Sequence, residues 1–229
     1  MKICRTHSWT LSYREAVALQ QKLAKGVRIC RPPKMRLIGG TDVSYDLTTR
    51  RFCAAIVIWD CATQKVVETA RASGISKFPY IPGLLSFREI PTLLDAFENL
   101  QTRPDGIICD GQGIAHPRRF GLASHLGLLL KIPTVGCAKS RLIGTHKKVG
   151  NERGSWAWLL DETVEGGREK IGIVLRTRAG VRPLYVSPGH LIDFSVSREL
   201  VLACAIRYRL PEPVRIAHLT VAKSLFLDR

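Results

Sequence analysis

The stretch Asp105–Arg141 constrains the fold of this chain more than any other. Its apolar run Ile107–Cys109 predicts a short buried strand that ends at a carboxylate, Asp110. Leucines at helical spacing follow, and a second apolar run, Ile132–Ala138, predicts another strand. In open α/β sheets, ligands bind at the carboxyl ends of the strands. This strand–helix–strand unit therefore predicts a binding site beside Asp110.

The loop inside this unit combines glycine, proline and arginine. Gly111 allows a tight turn and the close approach of a ligand to the backbone. Pro117 suits the first turn of a helix, so we expect the helix to begin near it. Four cations lie near the two strand ends: Arg118, Arg119, Lys139 and Arg141. They indicate that the ligand is an anion.

The net charge also indicates an anionic partner. The 229 residues include 35 Lys and Arg against 19 Asp and Glu, a formal net charge of +16. Nucleic acid is the favoured partner because binding many dispersed cations releases its counterions; a merely well-solvated surface is the alternative. No basic amphipathic helix favours a membrane surface. Seven cysteines without a CxxC pair, and the lack of a signal peptide or long apolar run, predict a reduced, cytoplasmic protein.

The rest of the chain predicts a regular order of elements. Two strings fit helix capping boxes, Ser12–Glu15 and Ser86–Glu89, and predict helices to about Lys25 and Leu100. Between them, three strand-like segments with short connections favour an antiparallel meander: Arg36–Tyr45, Arg51–Trp59 and Lys65–Ala72. Later segments predict three short strands and two helices: Trp156–Leu160, Ile171–Arg176, Leu184–Ser187, Ser195–Arg209 and Pro211–Leu225.

This order predicts an α/β fold in a single domain over residues 1–229. A three-stranded antiparallel meander followed by parallel strands and helices gives a mixed sheet with helices on its faces. It is the order of the ribonuclease H-like fold. In that fold the first and fourth strands are neighbours, so we expect Asp42 and Asp110 to lie side by side.

Three carboxylates form the candidate chemical site: Asp42, Glu89 and Asp110. A carboxylate in apolar surroundings is costly unless it is paired or bound to a cation. Oxygen ligands without a histidine pair suit Mg²⁺, with Mn²⁺ as a substitute, and such a metal suits phosphodiester hydrolysis. Lys139 could neutralise a phosphate or position the attacking water. Simpler roles are open for each residue: a capping box for Glu89, backbone-amide bonds for Asp42, a turn cap for Asp110 and solvation for Lys139.

Several strings in this sequence resemble the endonuclease V family of deoxyinosine 3′-endonucleases. They are Gly40–Tyr45, Pro79–Glu89 (PYIPGLLSFRE), Asp110–Arg119, Lys139 and Leu210–Pro213. The second string is highly specific, and the resemblance extends from about residue 10 to 225. Gln112 departs from the family, since many relatives carry histidine there; this affects fine substrate preference, not the chemistry.

The resemblance implies an endonuclease that initiates DNA repair by cutting the second phosphodiester bond 3′ of an inosine. It implies Asp42, Glu89 and Asp110 as the Mg²⁺ ligands, assisted by Lys139 and His218. Tyr80 would stack in the gap left by the flipped base. The implied nucleic-acid contacts are Tyr80, Ile81, Pro82, Gly83, Leu85, Gly111, His116, Arg118, Arg119 and Leu142.

Two other functions compete with this hypothesis. One is a ribonuclease H-like nuclease that acts on inosine-containing RNA or structured DNA, although such an enzyme would not need the PYIPG loop. The other is a non-catalytic nucleic-acid-binding module, although that would not need all three acids. The substrate is expected to be DNA containing deoxyinosine, with inosine-containing RNA also open, and no protein partner is inferred.

Overall fold

The computed structural model describes residues 7–46, 51–162 and 166–227. Within these ranges the chain forms eight strands and five helices. The strands are β1 (Leu37–Tyr45), β2 (Phe52–Asp60), β3 (Lys65–Gly74), β4 (Gly106–Cys109), β5 (Thr134–Ala138), β6 (Trp156–Glu162), β7 (Arg168–Leu175) and β8 (Leu184–His190). The helices are α1 (Tyr13–Ala24), α2 (Leu85–Glu98), α3 (Leu122–Leu130), α4 (Phe194–Cys204) and α5 (Glu212–Leu227).

All eight strands belong to one mixed sheet with the order β3-β2-β1-β4-β5-β8-β7-β6. Strands β1, β2 and β3 form the predicted antiparallel meander, and β4 and β5 add to it in parallel. Strands β8, β7 and β6 then continue the sheet in antiparallel pairs beyond β5. The predicted ribonuclease H-like mixed sheet is confirmed, and the β8-β7-β6 extension lies on the far side of β5 from the meander.

Helices cover both faces of the sheet. On one face, Leu93 of α2 and Leu126 of α3 pack in the same buried cluster as Ile56 of β2. On the other face, Val201 of α4 and Val214 of α5 pack with the central strands. Burial of these apolar side chains is the main force holding the layers together. No helix among the described residues has the length and apolar character needed to cross a bilayer.

The contact between α5 and β1 is unusually close. A Cβ atom built on Gly40 would lie 2.1 Å from the carbonyl carbon of Pro213. Glycine at this position therefore lets the first turn of α5 rest directly on the strand. This contact fixes the height of α5 above β1 and so the position of its later turns over Asp42.

One predicted helix cap and one predicted helix start are wrong. Helix α2 begins at Leu85 with no side-chain cap bond, and the Ser86 hydroxyl lies 3.1 Å from His125 Nδ1 instead of capping the helix. Helix α3 begins at Leu122, not near Pro117. Arg119 has a φ of 54°, a left-handed conformation that a helix cannot continue through. The capping box of Ser12 before α1 is confirmed.

Candidate active site

Asp42 and Asp110 lie on neighbouring strands at one edge of the sheet. Strand β1 runs parallel to β4, and the backbone N–H of Asp110 donates to the carbonyl of Thr41 over 3.2 Å. This pairing places the two carboxylates side by side, as the strand order predicted. Asp42 is buried and Asp110 is nearly so, with 15% of its side chain exposed. Two negative charges are therefore held close together in a setting with little water.

Each of these carboxylates faces a cationic or proton-bearing side chain of the protein. Nδ1 of His218, on α5, lies 2.8 Å from Oδ2 of Asp42. Nζ of Lys139, which follows β5, lies 2.5 Å from Oδ2 of Asp110. Within the described ranges, these contacts replace the backbone-amide and turn-cap roles that the sequence left open. The predicted assistants Lys139 and His218 thus contact the predicted acids directly.

Glu89 reaches the same site from α2. Burial, followed by the negative charges of Asp42 and Asp110, raises the pKa of Glu89 to about 8. Burial and the charge of Asp110 likewise raise the pKa of Asp42 to about 6, although the hydrogen bond from His218 opposes the shift. The capping-box role for Glu89 is excluded because Ser86 does not cap α2. The three carboxylates therefore oppose one another's ionisation, and a bound cation would relieve this.

The donor set of the site suits a hard divalent cation. Three carboxylates supply only oxygen ligands, which Mg²⁺ and Mn²⁺ prefer. As they stand, no three His, Cys, Asp or Glu side chains in the described parts of the chain are close enough to enclose a metal. Lys139 and His218 occupy one oxygen each of Asp110 and Asp42. The residues fit a metal in chemistry and charge, and the side chains must move closer together for all three to bind it.

A cavity of about 400 Å³ adjoins Asp110, one of the three acids. This volume is in the range of pockets that bind small molecules. The predicted base-contacting residues that line it are Tyr80, Ile81, Pro82, Gly83, Leu85, Gly111, His116 and Leu142. Asp110 and Lys139 form part of the same wall. A group in the cavity therefore lies beside Asp110 and Lys139 of the charged site.

The loop that carries Tyr80 is held by three bonds to one carbonyl. The oxygen of Gly83 accepts from Arg118 Nη2 at 2.8 Å, from His116 Nε2 at 3.0 Å and from Gln20 Nε2 at 3.1 Å. Gly83 itself has a φ of +79°, which favours glycine. Burial, and then the charge of Arg118, lowers the pKa of His116 to about 4, so its ring is neutral. The loop is therefore pre-ordered, while the Tyr80 side chain is 68% exposed.

Arg118 and Arg119 bind protein groups rather than pointing freely into solvent. Arg118 bonds to Gly83 and to the side chain of Gln20. Arg119 forms ion pairs with Asp161 at 2.9 Å and with Glu169 at 2.7 Å. Neither arginine lines the cavity. Their predicted contacts with nucleic acid stay predictions, and the structure adds a role in fixing the loop and the β6–β7 hairpin.

Two buried polar residues of the site region were not found from the sequence. Gln20, on α1, is 1% exposed and bonds to the carbonyls of Gly83 and Phe120. His125, on α3, is fully buried and lies between Ser86 and His7, whose Nε2 atom is 2.9 Å away. Burial lowers the pKa of His125 well below its usual value. The only indication in the sequence for Gln20 or His125 was a polar residue at a position that faces the interior in a helix.

Comparisons with known proteins agree on one family. The endonuclease V family profile matches residues 11–219. The endonuclease V of Trichormus variabilis is 47% identical over 221 residues, which cover 95% of this chain and 97% of that protein. The crystal structure of endonuclease V from Streptomyces avermitilis is similar with a TM-score of 0.90 and 42% identity, covering 96% of each chain.

A further similar structure contains nucleic acid. Endonuclease V of Ciona intestinalis was crystallised in complex with a 24mer DNA containing an inosine followed by a ribo-adenosine. Its TM-score with this chain is 0.82 at 27% identity, and the match covers 94% of this chain and 98% of that one.

Proposed function

Because this chain belongs to the endonuclease V family and is thus an endonuclease, we propose that it cuts nucleic acid at inosine. The proposed cleavage is at the second phosphodiester bond 3′ of the inosine, leaving a 3′-hydroxyl and a 5′-phosphate. One observation carries the proposal: a cavity of about 400 Å³ shares a wall, at Asp110 and Lys139, with a cluster of three mutually repelling carboxylates. The cavity would hold the flipped base, and the carboxylates would lie beside a phosphodiester a short distance along the same strand.

The proposed cofactor is Mg²⁺, with Mn²⁺ as a substitute. Asp42, Glu89 and Asp110 would hold it, and it would supply an activated water and stabilise charge on the phosphate and the leaving oxygen. The raised pKa values of Asp42 and Glu89 support the assignment, since burial and then the neighbouring carboxylates disfavour the ionised forms, and a bound cation would offset both effects. Members of the family are generally metal-dependent.

Lys139 and His218 keep two of the carboxylates ready for this role. The ammonium of Lys139 can transfer its contact from Asp110 to a substrate phosphate, since 40% of its side chain is exposed. The His218 imidazole orients the carboxylate of Asp42, and its hydrogen bond opposes the rise in the pKa of that acid. Lys139 is therefore placed to contact substrate, and His218 to position Asp42.

The PYIPG loop is the proposed reader of the base. An exposed ring on a loop already ordered by proline and by the bonds to Gly83 loses little entropy when it stacks in the nucleic acid. Stacking on Tyr80 would contribute about 1–3 kcal/mol, against a flipping cost of a few kcal/mol that is least for weakly paired bases. Ile81, Pro82, Gly83, Leu85, Gly111 and Leu142 would enclose the base.

We propose DNA containing deoxyinosine as the substrate in a repair pathway, with inosine-containing RNA also able to enter. The DNA complex of the Ciona intestinalis relative supports a nucleic-acid substrate. The six described cysteines are all unpaired, which supports a reducing, cytoplasmic compartment.

The test is a cleavage assay with matched oligonucleotides that contain inosine or adenosine at one position, as DNA and as RNA. We expect metal-dependent cutting of the inosine strands at the second bond on the 3′ side. The product ends identify the bond. Equal cutting of inosine and adenosine strands would contradict base recognition, and cutting at any other bond would contradict the proposed position.

A further inference from the structure

A second basic surface begins at Lys139 and continues away from the base cavity. It is formed by three segments, residues 139–151, 176–183 and 205–209. Together they contain nine Lys and Arg and no Asp or Glu. Besides Lys139, which is paired with Asp110, six of these cations have exposed side chains: Arg141, Lys147, Lys148, Arg178, Arg182 and Arg207. We call these six residues the basic ledge.

Contacts between the three segments show that they form one surface. Nη2 of Arg209 donates to the carbonyls of Lys139, at 2.8 Å, and Pro183, at 2.9 Å. Thr177 Oγ1 donates to the Arg209 carbonyl over 2.6 Å. Arg176 Nε donates to the carbonyl of Gly150 over 2.6 Å. These bonds tie all three segments to the backbone of Lys139 and hence to the active site.

Among the residues that the structure describes, the ledge cations have no acidic partners. Across the described stretches of the chain, ion pairs are formed by Arg36, Arg119, Lys139, Arg198, Arg215 and His218, and none by the ledge. A half-open cavity of about 570 Å³ lies within this surface, between Lys148, Arg176 and Pro183. Like charges held together without counter-charges repel one another, and a polyanion would remove that repulsion.

The position of the ledge selects its partner. The first segment follows the end of β5, and the second follows β7 and precedes β8, so both lie at the same edge of the sheet as Asp110. The third segment is bonded to both of them through Arg209. Two to three strand spacings separate the end of β4 from the far strands, about 10–15 Å. At about 3.4 Å per nucleotide, this distance is about three to four nucleotides. A strand that continues from the acids along this edge of the sheet would reach this surface within that length.

We propose that the basic ledge binds the sugar-phosphate backbone of the substrate beyond the reactive site. It gives the enzyme a footprint that extends several nucleotides to one side of the inosine, with no base preference. This inference rests on the proposed function for the identity of the substrate. The contacts are to phosphates, so they set affinity and register rather than sequence preference.

The test compares the double variant Lys148→Glu/Arg182→Glu with a matched control. The control is Lys65→Glu/Arg103→Glu, which reverses two exposed charges at the opposite edge of the sheet. Binding is measured in EDTA over a range of salt concentrations, on inosine and adenosine duplexes of equal sequence. One arm of each duplex is about ten nucleotides and the other is trimmed to about three, first on one side and then on the other.

We expect the ledge variant to lose about tenfold in affinity for duplexes whose long arm lies on the side of the inosine that faces the ledge. The slope of log affinity against log salt concentration should be shallower by about 2. Trimming that arm should weaken wild-type binding and shrink the difference between wild type and variant. The inosine preference should not change. Lys148→Gln/Arg182→Gln should give the same pattern with a smaller loss, and thermal unfolding should match wild type for all variants.

Equal losses on long and trimmed duplexes, or equal losses for the control variant, would overturn the proposal. So would an unchanged salt slope. Failure of the proposed function looks different: wild type would not distinguish inosine from adenosine in cleavage, while the adenosine duplexes would still report on the ledge.

Discussion

The imidazole of His218 lies 2.8 Å from the carboxylate of Asp42, although the two residues are 176 positions apart in the chain. The bond joins the last helix to the first strand. Burial and then the charge of Asp110 raise the pKa of Asp42 to about 6, and the hydrogen bond from His218 opposes this rise. His218 therefore adjusts when Asp42 is ionised and able to bind a cation.

Replacement of this histidine should shift the pH profile of cleavage. In His218→Ala, Asp42 loses a bond that favours its ionised form, so its pKa rises further. We expect the acidic limb of the pH–rate profile to move to higher pH and more Mg²⁺ to be needed at pH 6.5. Leu219→Ala, an exposed neighbour on the same helix, is the control and should behave as wild type. A lower rate with an unmoved profile would mean that His218 acts otherwise.

Removal of the metal should abolish cleavage, and so should neutralisation of its proposed ligand Asp110. EDTA should stop the reaction, Mg²⁺ or Mn²⁺ should restore it, and Ca²⁺ should support binding without turnover. Asp110→Asn should lose cleavage but keep much of its affinity for inosine substrate. Cleavage and binding are measured on the same oligonucleotide. Full cleavage by Asp110→Asn would remove this residue from the metal site.

Glu89 should make stability depend on pH when no divalent metal is present. Its pKa is about 8 in the folded protein, against an ordinary value of 4.5. Between these two pH values the folded protein keeps a proton on Glu89 that the unfolded chain releases. The contribution of this group to the free energy of unfolding is therefore fully present below pH 4.5 and is lost as pH rises through 8.

Glu89→Gln should therefore be more stable than wild type by about 1–3 kcal/mol at pH 8.5 in EDTA, and equal to it near pH 4. Urea unfolding at the two pH values measures the difference, and Glu152→Gln in an exposed loop is the control. A variant that is no more stable at high pH would show that burial and the neighbouring carboxylates do not disfavour the ionised form of Glu89. The same variant should lose cleavage, because the carboxylate that destabilises the metal-free protein at high pH is also a proposed metal ligand.

Tyr80 should matter for holding the flipped base and not for cutting. Tyr80→Ala should lose about 1–3 kcal/mol of stacking, a tenfold to hundredfold loss in specific binding. The loss should be smaller on single-stranded or mismatched substrate, where flipping costs less. Tyr80→Phe should retain most activity because the ring face does the stacking. Cleavage at limiting enzyme on paired and single-stranded inosine strands makes the comparison, and equal losses on both would contradict the stacking role.

Arg118 should act through the loop that carries Tyr80. If its guanidinium contacts a phosphate, as the sequence predicted, Arg118→Ala should make the salt slope shallower by about 1 and leave base preference intact. The structure shows this group bonded to Gly83 and Gln20, so we expect reduced inosine preference and a nearly unchanged slope. Gln20→Ala should reproduce the effect, since it removes another bond to the same carbonyl.

Sequence patterns determined the order of elements and the set of candidate acids. Apolar runs are local, so they predicted β4 and β5, and the meander followed from short connections between three such runs. The side-by-side placement of Asp42 and Asp110 followed from strand order alone. Glu89 was a candidate acid from the sequence, with a capping-box role left open, whereas the proposed roles of His218 and Tyr80 came from the resemblance to the family.

Tertiary structure decided which partner each charged side chain has. Arg119 reaches Asp161 and Glu169, which lie 42 and 50 positions away, and Lys139 reaches Asp110. It also decided that segments from three parts of the chain form one basic surface beside Lys139. Such contacts form when the buried sheet brings distant segments together, so they cannot be predicted from the residues next to a side chain in the sequence. Sequence specified the acids of the site; packing specified their charges, their partners and the surface beside them.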